Sequence, residues 1–314
     1  MNTFLITGSN GFIGFHLIKK LAKIYKDSII VGIDNMNDYY DINLKYDRLS
    51  ILENISNYTF IYGDITDKNF INNVFNTYKP NIVINLAAQA GVRYSLINSE
   101  SYINNNIIGF YNILENCVNY DVSHLIYASS SSVYGNYNNT SKPESLYAAT
   151  KKTNELLSYS YSQNYNLKTT GLRFFSVYGP YGRPDMAYYN FTENLINNKE
   201  INVYNDGLNE RDLTYIDDVI NGIILVINNK QNSIYNIHDI GNGTSISTND
   251  MINTMIETMK NNGININHDL IKYTTKQKGD VIKTNSNNSI INSKINFKEG
   301  YSLFLEWYLK YKSK

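Results

Sequence analysis

Two groups of residues in this chain carry side chains able to move protons. Ser129-Ser130-Ser131-Ser132 follows the apolar run 125–128, and Tyr147 precedes Lys151 by four positions at the start of a helical pattern. Residues four apart share one helix face. A lysine cation beside a phenol favours the phenolate. Such a phenolate can take the proton of a substrate hydroxyl while a serine hydroxyl at the strand tip orients the same oxygen. By itself the Tyr–Lys spacing is ordinary on a helix surface. An upstream motif gives it weight.

That motif occupies the first fourteen residues. The short apolar run Phe4-Leu5-Ile6-Thr7 ends at Gly8, and Gly8, Gly11 and Gly14 recur at three-residue spacing into a helical segment carrying Phe15, Leu17, Ile18 and Leu21. A second apolar run, 29–33, ends on Asp34. Strand, glycine turn, helix, strand and acid form a dinucleotide site. Glycines let backbone amides approach a pyrophosphate at a helix N-terminus, and the acid binds an adenosine ribose. Asp34 repels a 2′-phosphate, which favours NAD over NADP. Tyr147 would then take a hydroxyl proton while the carbinol hydride leaves for NAD.

These residues need a scaffold. Strand-like runs recur at 4–7, 29–33, 59–62, 82–85, 125–129 and 169–174, with helical patterns between them, including 102–119 and 147–165. The alternation predicts an α/β fold with a doubly wound parallel sheet, Rossmann-like. Ala87-Ala88 after the fourth run let the main chain close over a cofactor. Asp64 can reach an adenine amino group or cap the next helix. The NAD-binding domain is expected over 1–175, with later returns to the sheet from about 212–240. Residues 176–314 form mainly a smaller C-terminal substrate-binding domain, interleaved with the first. The segment 301–311 reads as a terminal helix. Arg173, Arg183 and Arg211 lie beyond the cofactor motifs, and a guanidinium fork suits phosphate oxygens. Arg211 beside Asp212, Asp217 and Asp218 fits a salt-bridged surface as well, and Arg173 lies within a strand.

Composition narrows the classes. The 314 residues carry 28 Lys+Arg against 28 Asp+Glu, so no nucleic-acid face or polybasic anchor is expected. No run approaches the roughly 18 apolar residues of a membrane span. No charged leader precedes the first strand, and the single cysteine, Cys117, reads as packing, so a cytoplasmic location is expected. His16, His124, His238 and His268 lack metal-ligand spacing, and no metal is expected.

The motifs resemble the extended short-chain dehydrogenase/reductase family, and within it the sugar-nucleotide epimerases of the UDP-glucuronate 4-epimerase group. The resemblance spans essentially the whole chain. It rests on Gly8-Ser9-Asn10-Gly11-Phe12-Ile13-Gly14, Asp34-Asn35-Met36-Asn37-Asp38-Tyr39-Tyr40-Asp41, Ala87-Ala88-Gln89-Ala90-Gly91-Val92-Arg93, and Asn106-x-x-Gly109. It continues in Tyr147-x-x-x-Lys151, Leu172-Arg173-Phe174-Phe175-Ser176-Val177-Tyr178-Gly179-Pro180, Gly182-Arg183-Pro184 and Arg211-Asp212-Leu213-Thr214-Tyr215. The resemblance implies Ser130, Tyr147 and Lys151 as the catalytic set. It implies further NAD contacts from Phe12, Ile13, Asn35, Ile65, Ala87, Ala88 and Asn106. Substrate contacts are implied from Arg93, Ser131, Ser132, Ser176, Arg183, Arg211, Lys278 and Asp280. It also implies a UDP-sugar substrate, reversible inversion at C4 through a 4-keto sugar, and a homodimer built on the 102–119 and 147–165 helices.

Sister activities differ at one place. Related 4,6-dehydratases carry Asp-Glu before Val-Tyr-Gly and decarboxylases carry a glutamate there, whereas this chain has Ser131-Ser132. The chain departs from the resemblance at the short Asn-rich link between Gly135 and Ser145, at His238-Asp239-Ile240, at Asn287 and at Lys278. The short link keeps UDP-glucose and UDP-N-acetylhexosamines open as substrates, and a non-catalytic nucleotide-binding scaffold as a further class.

Overall fold

The computed structural model describes residues 2–136, 142–229, 233–276, 281–287 and 289–313. The chain divides into two compact units, Met1–Phe174 with Ile223–His238, and Phe175–Gly222 with Asp239–Lys314.

The elements begin with β1 (Thr3–Thr7), α1 (Phe12–Ile24), β2 (Ile29–Asp34), α2 (Asn43–Leu52), β3 (Tyr58–Tyr62), α3 (Lys68–Tyr78) and β4 (Ile82–Asn85). Then come α4 (Ser99–Tyr102), α5 (Phe110–Asn119), β5 (His124–Ser130), α6 (Leu146–Tyr165) and β6 (Thr169–Phe174). Next are β7 (Ser176–Tyr178), α7 (Ala187–Ile196), β8 (Ile201–Tyr204), β9 (Glu210–Tyr215), α8 (Ile216–Asn228) and β10 (Tyr235–Ile240). The chain closes with β11 (Ser245–Ser247), α9 (Thr248–Asn261), β12 (Ile271–Thr274) and α10 (Phe297–Lys312).

Seven strands form one sheet in the order β10-β6-β5-β4-β1-β2-β3. The pairings from β3 across to β6 are all parallel. Central strands are apolar on both faces, as covered parallel strands require: Phe4, Leu5, Ile6, Ile30, Val31, Val83, Ile84, Leu125 and Ile126 are all buried. The strand order reverses at β1, which pairs with β2 on one side and β4 on the other. That reversal opens a crevice at the strands' carboxyl ends. Thr7 lies level with Ile33 and Asn85, and β5 runs on past Tyr127, which is level with Asn85, to Ser130. One core cluster packs Leu5, Val83, Leu125 and Tyr127 with Ile71, Phe75, Phe110, Ile113, Leu114 and Cys117.

The helix expected over 102–119 is not continuous. Residues Ile103–Gly109 form π-helical turns between α4 and α5. Asn104, Asn105 and Asn106 are weak helix formers, and Asn106 makes other bonds. Its Oδ1 accepts from the Gln89 amide at 2.8 Å, and its Nδ2 donates to the Gln89 carbonyl at 3.0 Å and Thr150 Oγ1 at 3.0 Å. The terminal helix begins one turn earlier than the 301–311 pattern, because Asn296 caps it through the Glu299 amide.

In the second unit, β11, β9 and β7 form a three-stranded sheet, and β12 pairs with β8. Asp212 ties its loops together. The buried carboxylate accepts from the amides of Asn242 (2.7 Å), Gly243 (3.0 Å) and Ser286 (3.0 Å), and from the hydroxyls of Ser286 (2.7 Å) and Thr214 (3.0 Å). Removing it strands several donors, each costing about 1–3 kcal/mol when left buried and unpaired. Asp212→Ala is therefore expected to lower stability by about 3 kcal/mol or more, measured by urea denaturation. A loss below about 1 kcal/mol would show that solvent replaces the carboxylate.

Candidate active site

The turn from β1 to α1 is built too tightly for side chains. Gly8 has φ +70, and a Cβ there would lie 2.8 Å from the Ala87 nitrogen. A Cβ on Gly14 would lie 2.2 Å from the Gly8 carbonyl oxygen. The N-terminus of α1 has no side-chain cap, so its amides point outward with the helix dipole behind them. Phe12 is buried, and Ile13 is half-buried beside it.

At the tip of β2, Asp34 is nearly fully buried. Its Oδ1 accepts from the Met36 amide at 2.8 Å and its Oδ2 from the Asn10 amide at 3.1 Å. An ionised carboxylate has about four acceptor positions, so capacity remains for a ribose diol. Lys45 Nζ lies 3.5 Å from Oδ1 and donates to Asn37 Oδ1 at 3.0 Å. Arg48 is fully buried and donates to the Asn10 carbonyl at 2.9 Å and the Tyr40 hydroxyl at 2.7 Å. These two cations fasten the loop after β2 to the glycine turn. Sequence reasoning missed them, although both stand on α2 shortly after the acidic strand tip.

Asp64 does not cap α3; Asp67 does, through the amides of Asn69 and Phe70. Asp64 instead accepts from the Thr66 amide (2.8 Å) and hydroxyl (2.7 Å) and from Asn35 Nδ2 (2.7 Å). Burial pushes its carboxyl up, but those bonds outweigh burial and hold it below the usual range. Asn35 and Asp64 thus join the tips of β2 and β3. Ile65 is buried, and its carbonyl accepts from Asn112 Nδ2 at 3.0 Å. The Ala87 amide donates to Thr7 Oγ1 at 3.2 Å, and Ala88 follows half-buried. This glycine cradle with an acid at the next strand tip fits NAD.

The residues expected to handle protons, Ser130, Tyr147 and Lys151, belong to the same unit. Ser130 ends β5, and its Oγ accepts from the Ser132 amide at 3.2 Å, opening a short 3₁₀ turn over Ser131–Tyr134. Ser145 caps α6 through the Ala148 amide. Tyr147 therefore sits in the first turn, where the helix dipole favours an anion. Its half-buried ring meets the buried Tyr102 ring edge-on at 6.1 Å. Tyr102 in turn donates to the Ala90 carbonyl at 2.9 Å. Lys151 is buried, and its Nζ donates to the Ala128 carbonyl at 2.9 Å, two residues before Ser130. Burial pushes its ammonium down to about 8 from 10.5.

The remaining expectations scatter. Arg93 is exposed ahead of the turn Tyr94–Leu96. Arg173 forms a bidentate pair with Glu155, Nε–Oε1 2.8 Å and Nη2–Oε2 2.8 Å, so its fork is taken up by structure. In the second unit, Ser176 opens β7 half-buried. Arg183 pairs with Asp185, Nε–Oδ1 2.9 Å. Arg211 Nη1 donates to the carbonyls of Glu210 (2.8 Å) and Ile282 (3.3 Å). Asp218 accepts from the Ser293 hydroxyl at 2.8 Å and the Lys294 amide at 3.0 Å. Lys278, Asp280 and the centre of the short link, 137–141, lie outside the described residues. Among the described residues no cluster of His, Cys, Asp and Glu is arranged to hold a metal ion, and no helix is long and apolar enough to cross a membrane.

Comparison with known proteins agrees with this fold. A sequence model of the NAD dependent epimerase/dehydratase family matches residues 4–238. The chain is 42% identical to protein CapI of Staphylococcus aureus, covering 99% of both chains. It is 36% identical to UDP-glucuronate 4-epimerase 4 of Arabidopsis thaliana, covering 99% of this chain and 76% of the relative. Its fold matches the crystal structure of UDP-glucuronic acid 4-epimerase from Bacillus cereus in complex with UDP-glucuronic acid and NAD, with a TM-score of 0.90 at 28% identity, covering 98% and 99% of the two chains.

The buried ammonium gives a measurable stability signature. Between about 8 and 10.5 the folded chain has released a proton that the unfolded chain still holds, so stability rises with pH through that window. At about 1.4 kcal/mol per unit, the stability of the wild type relative to Lys151→Met should rise by about 3 kcal/mol from about pH 7 to about pH 10.5. Urea denaturation at both pH values checks this. A difference independent of pH would contradict burial of the cation.

Proposed function

The chain belongs to the NAD dependent epimerase/dehydratase family, and on that premise we propose that it inverts C4 of a UDP-sugar, interconverting UDP-glucuronate and UDP-galacturonate. The observation that carries the reading is Lys151, buried beside the end of β5 and one helical turn after Tyr147. The glycine cradle, Asp34, Asn35 and Asp64 support NAD as the resident cofactor.

Bound NAD supplies the acceptor and donor of the C4 hydride. Tyr147, its phenolate favoured by Lys151 and by the α6 N-terminus, takes the 4-hydroxyl proton and later returns it. Ser130 donates to the same oxygen and holds it while the bond order changes. The planar 4-keto ring must turn over between the two transfers, which requires a firm hold on the diphosphate and a loose one on the sugar. Arg211 supplies a guanidinium for the phosphates; Ser131 and Ser132 are neutral. A glucuronate 4-ketone is a β-keto acid and can lose carbon dioxide. The hydroxyls of Ser131 and Ser132 and the Ser131 amide hold the carboxylate where that loss is slow. The remaining proposed substrate contacts are Arg93, Ser176, Arg183, Lys278 and Asp280. Arg183 would have to exchange Asp185 for substrate.

A second reading keeps the chemistry and changes the sugar. The ends of the short link are drawn together: Asn136 Nδ2 donates to Glu144 at 2.6 Å, and a Cβ on Gly135 would lie 2.3 Å from the Lys142 carbonyl oxygen. The shortness of this link keeps UDP-glucose or a UDP-N-acetylhexosamine as the alternative substrate.

The dimer is proposed through α4–α5 and α6. Ile103, Ile108, Tyr111, Leu156 and Tyr159 are exposed apolar residues on these helices, which suit a twofold mate. Light scattering is expected to give twice the chain mass at micromolar concentration; a monomer mass would count against this interface.

A panel of UDP-sugars followed by chromatography tests the substrate. UDP-galacturonate from UDP-glucuronate is expected. Conversion confined to UDP-glucose or an N-acetylated sugar selects the second reading, and a 4-keto-6-deoxy or pentose product overturns epimerisation. Tyr147→Phe should lower kcat by roughly 10²–10⁴-fold, the scale of positioned acid–base catalysis. Near-normal turnover would remove Tyr147 from the mechanism.

A further inference from the structure

The face that α6 buries is mostly polar. Thr150, Lys151, Asn154, Glu155, Ser158 and Ser162 are buried there with Ala148. The neighbouring α5 buries more apolar surface, with Phe110, Ile113, Leu114 and Cys117 beside Asn112 and Asn116. Apolar burial is non-directional, so it fixes a helix's place more strongly than its register. On α6 Leu157 and Tyr161 pack only partly buried against the core, so directional bonds carry more of the register. The strongest of these lies one turn after Lys151 and two turns after Tyr147. Glu155 is 1% exposed and its carboxylate meets four donors. Oε1 accepts from Ser129 Oγ at 2.7 Å and Arg173 Nε at 2.8 Å. Oε2 accepts from Arg173 Nη2 at 2.8 Å and Lys152 Nζ at 3.0 Å. Ser129 and Arg173 are opposite one another in the β5–β6 register. The Arg173 guanidinium also lies over the Tyr134 ring at 4.6 Å, in the turn that Ser130 opens. Tyr235 OH adds a bond to the Glu155 carbonyl at 3.1 Å.

We propose that Glu155 and Arg173 are positioning residues: their bidentate pair locks the axial and rotational register of α6 against β6 and, through the paired Ser129, against β5, and so sets Tyr147 and Lys151 relative to Ser130. Neither residue touches the reacting atoms. A slip of one residue moves Tyr147 about 1.5 Å along the helix axis and about 100° around it, and a displacement of about 1 Å can cost on the order of 10²-fold in rate. A fork bonded to both carboxylate oxygens resists slip and rotation together, which a point charge does not.

The inference rests on the epimerase reading for its kinetic test and not for its structural one. Arg173→Lys keeps the charge and removes the fork. Ser162→Ala is the control; it removes a buried bond to Thr169, 2.8 Å, from the same helix. With UDP-glucuronate, Arg173→Lys is expected to lower kcat at least about tenfold with KM within about threefold and bound NAD retained. Ser162→Ala should leave kcat within about threefold. Amide hydrogen exchange of the peptide 146–152 should quicken in Arg173→Lys and not in Ser162→Ala. Glu155→Asp, which shortens the reach, gives the same readouts if Arg173→Lys does not fold. Unchanged kcat and exchange in the fork variant overturn the proposal, as do equal losses in the control. Wild-type protein inactive on every UDP-sugar would refute the proposed function, while the exchange readout, which needs no substrate, still decides the register lock.

Discussion

The buried Lys151 ammonium is the constraint around which the proposed catalytic residues of the first unit are grouped. The desolvation that lowers its proton affinity also makes its charge strong locally, since little water screens it. Four features keep it effective: the Ala128 carbonyl that receives it, the α6 cap at Ser145, the Tyr102 ring against Tyr147, and the charged pair one turn on at Glu155. An isolated buried cation is unfavourable. In the proposed reaction a Tyr147 phenolate one turn earlier on the same helix makes it useful.

The two units solve the same physical problem in different ways. In the first, a sheet whose central strands are mostly apolar carries polar bonds at its carboxyl ends, where Thr7 Oγ1 donates to Asn85 Oδ1 at 2.7 Å and Asn35 Nδ2 donates to Asp64. The strands set the level, and short polar bonds set the direction of each tip. The second unit has shorter strands and relies on the buried Asp212 to gather backbone amides from separate loops. Arg211 stands beside that carboxylate in sequence, so the anchor for its strand is also the anchor for its loops.

Patterning carried most of the frame and only part of the site. The runs 82–85 and 169–174 match β4 and β6 residue for residue, because covered parallel strands are continuous apolar runs. Gly14 and Asp34 were legible because their roles need a missing Cβ and a charge at a strand end. The π-helical turns at Ile103–Gly109 were not, since periodicity over 102–119 reads as one helix and the deciding bonds of Asn106 reach Gln89 and Thr150. Lys45 and Arg48 escaped for a similar reason: α2 has no apolar stripe marking which charges turn inward. Arg173 was open between ligand and structure until the bond to Glu155, eighteen positions away, was visible.

The central claim is that a proton handled by Tyr147 and a hydride kept within the protein invert one carbon. UDP-glucuronate deuterated at C4, incubated in ordinary water through many turnovers, tests it most directly. Mass spectrometry and proton NMR of the isolated UDP-galacturonate should find the deuterium retained at C4, because the hydride leaves and returns to the same carbon without meeting solvent. Loss of the label to water would contradict the account, since it would mean that C4 inverts by exchange of a proton.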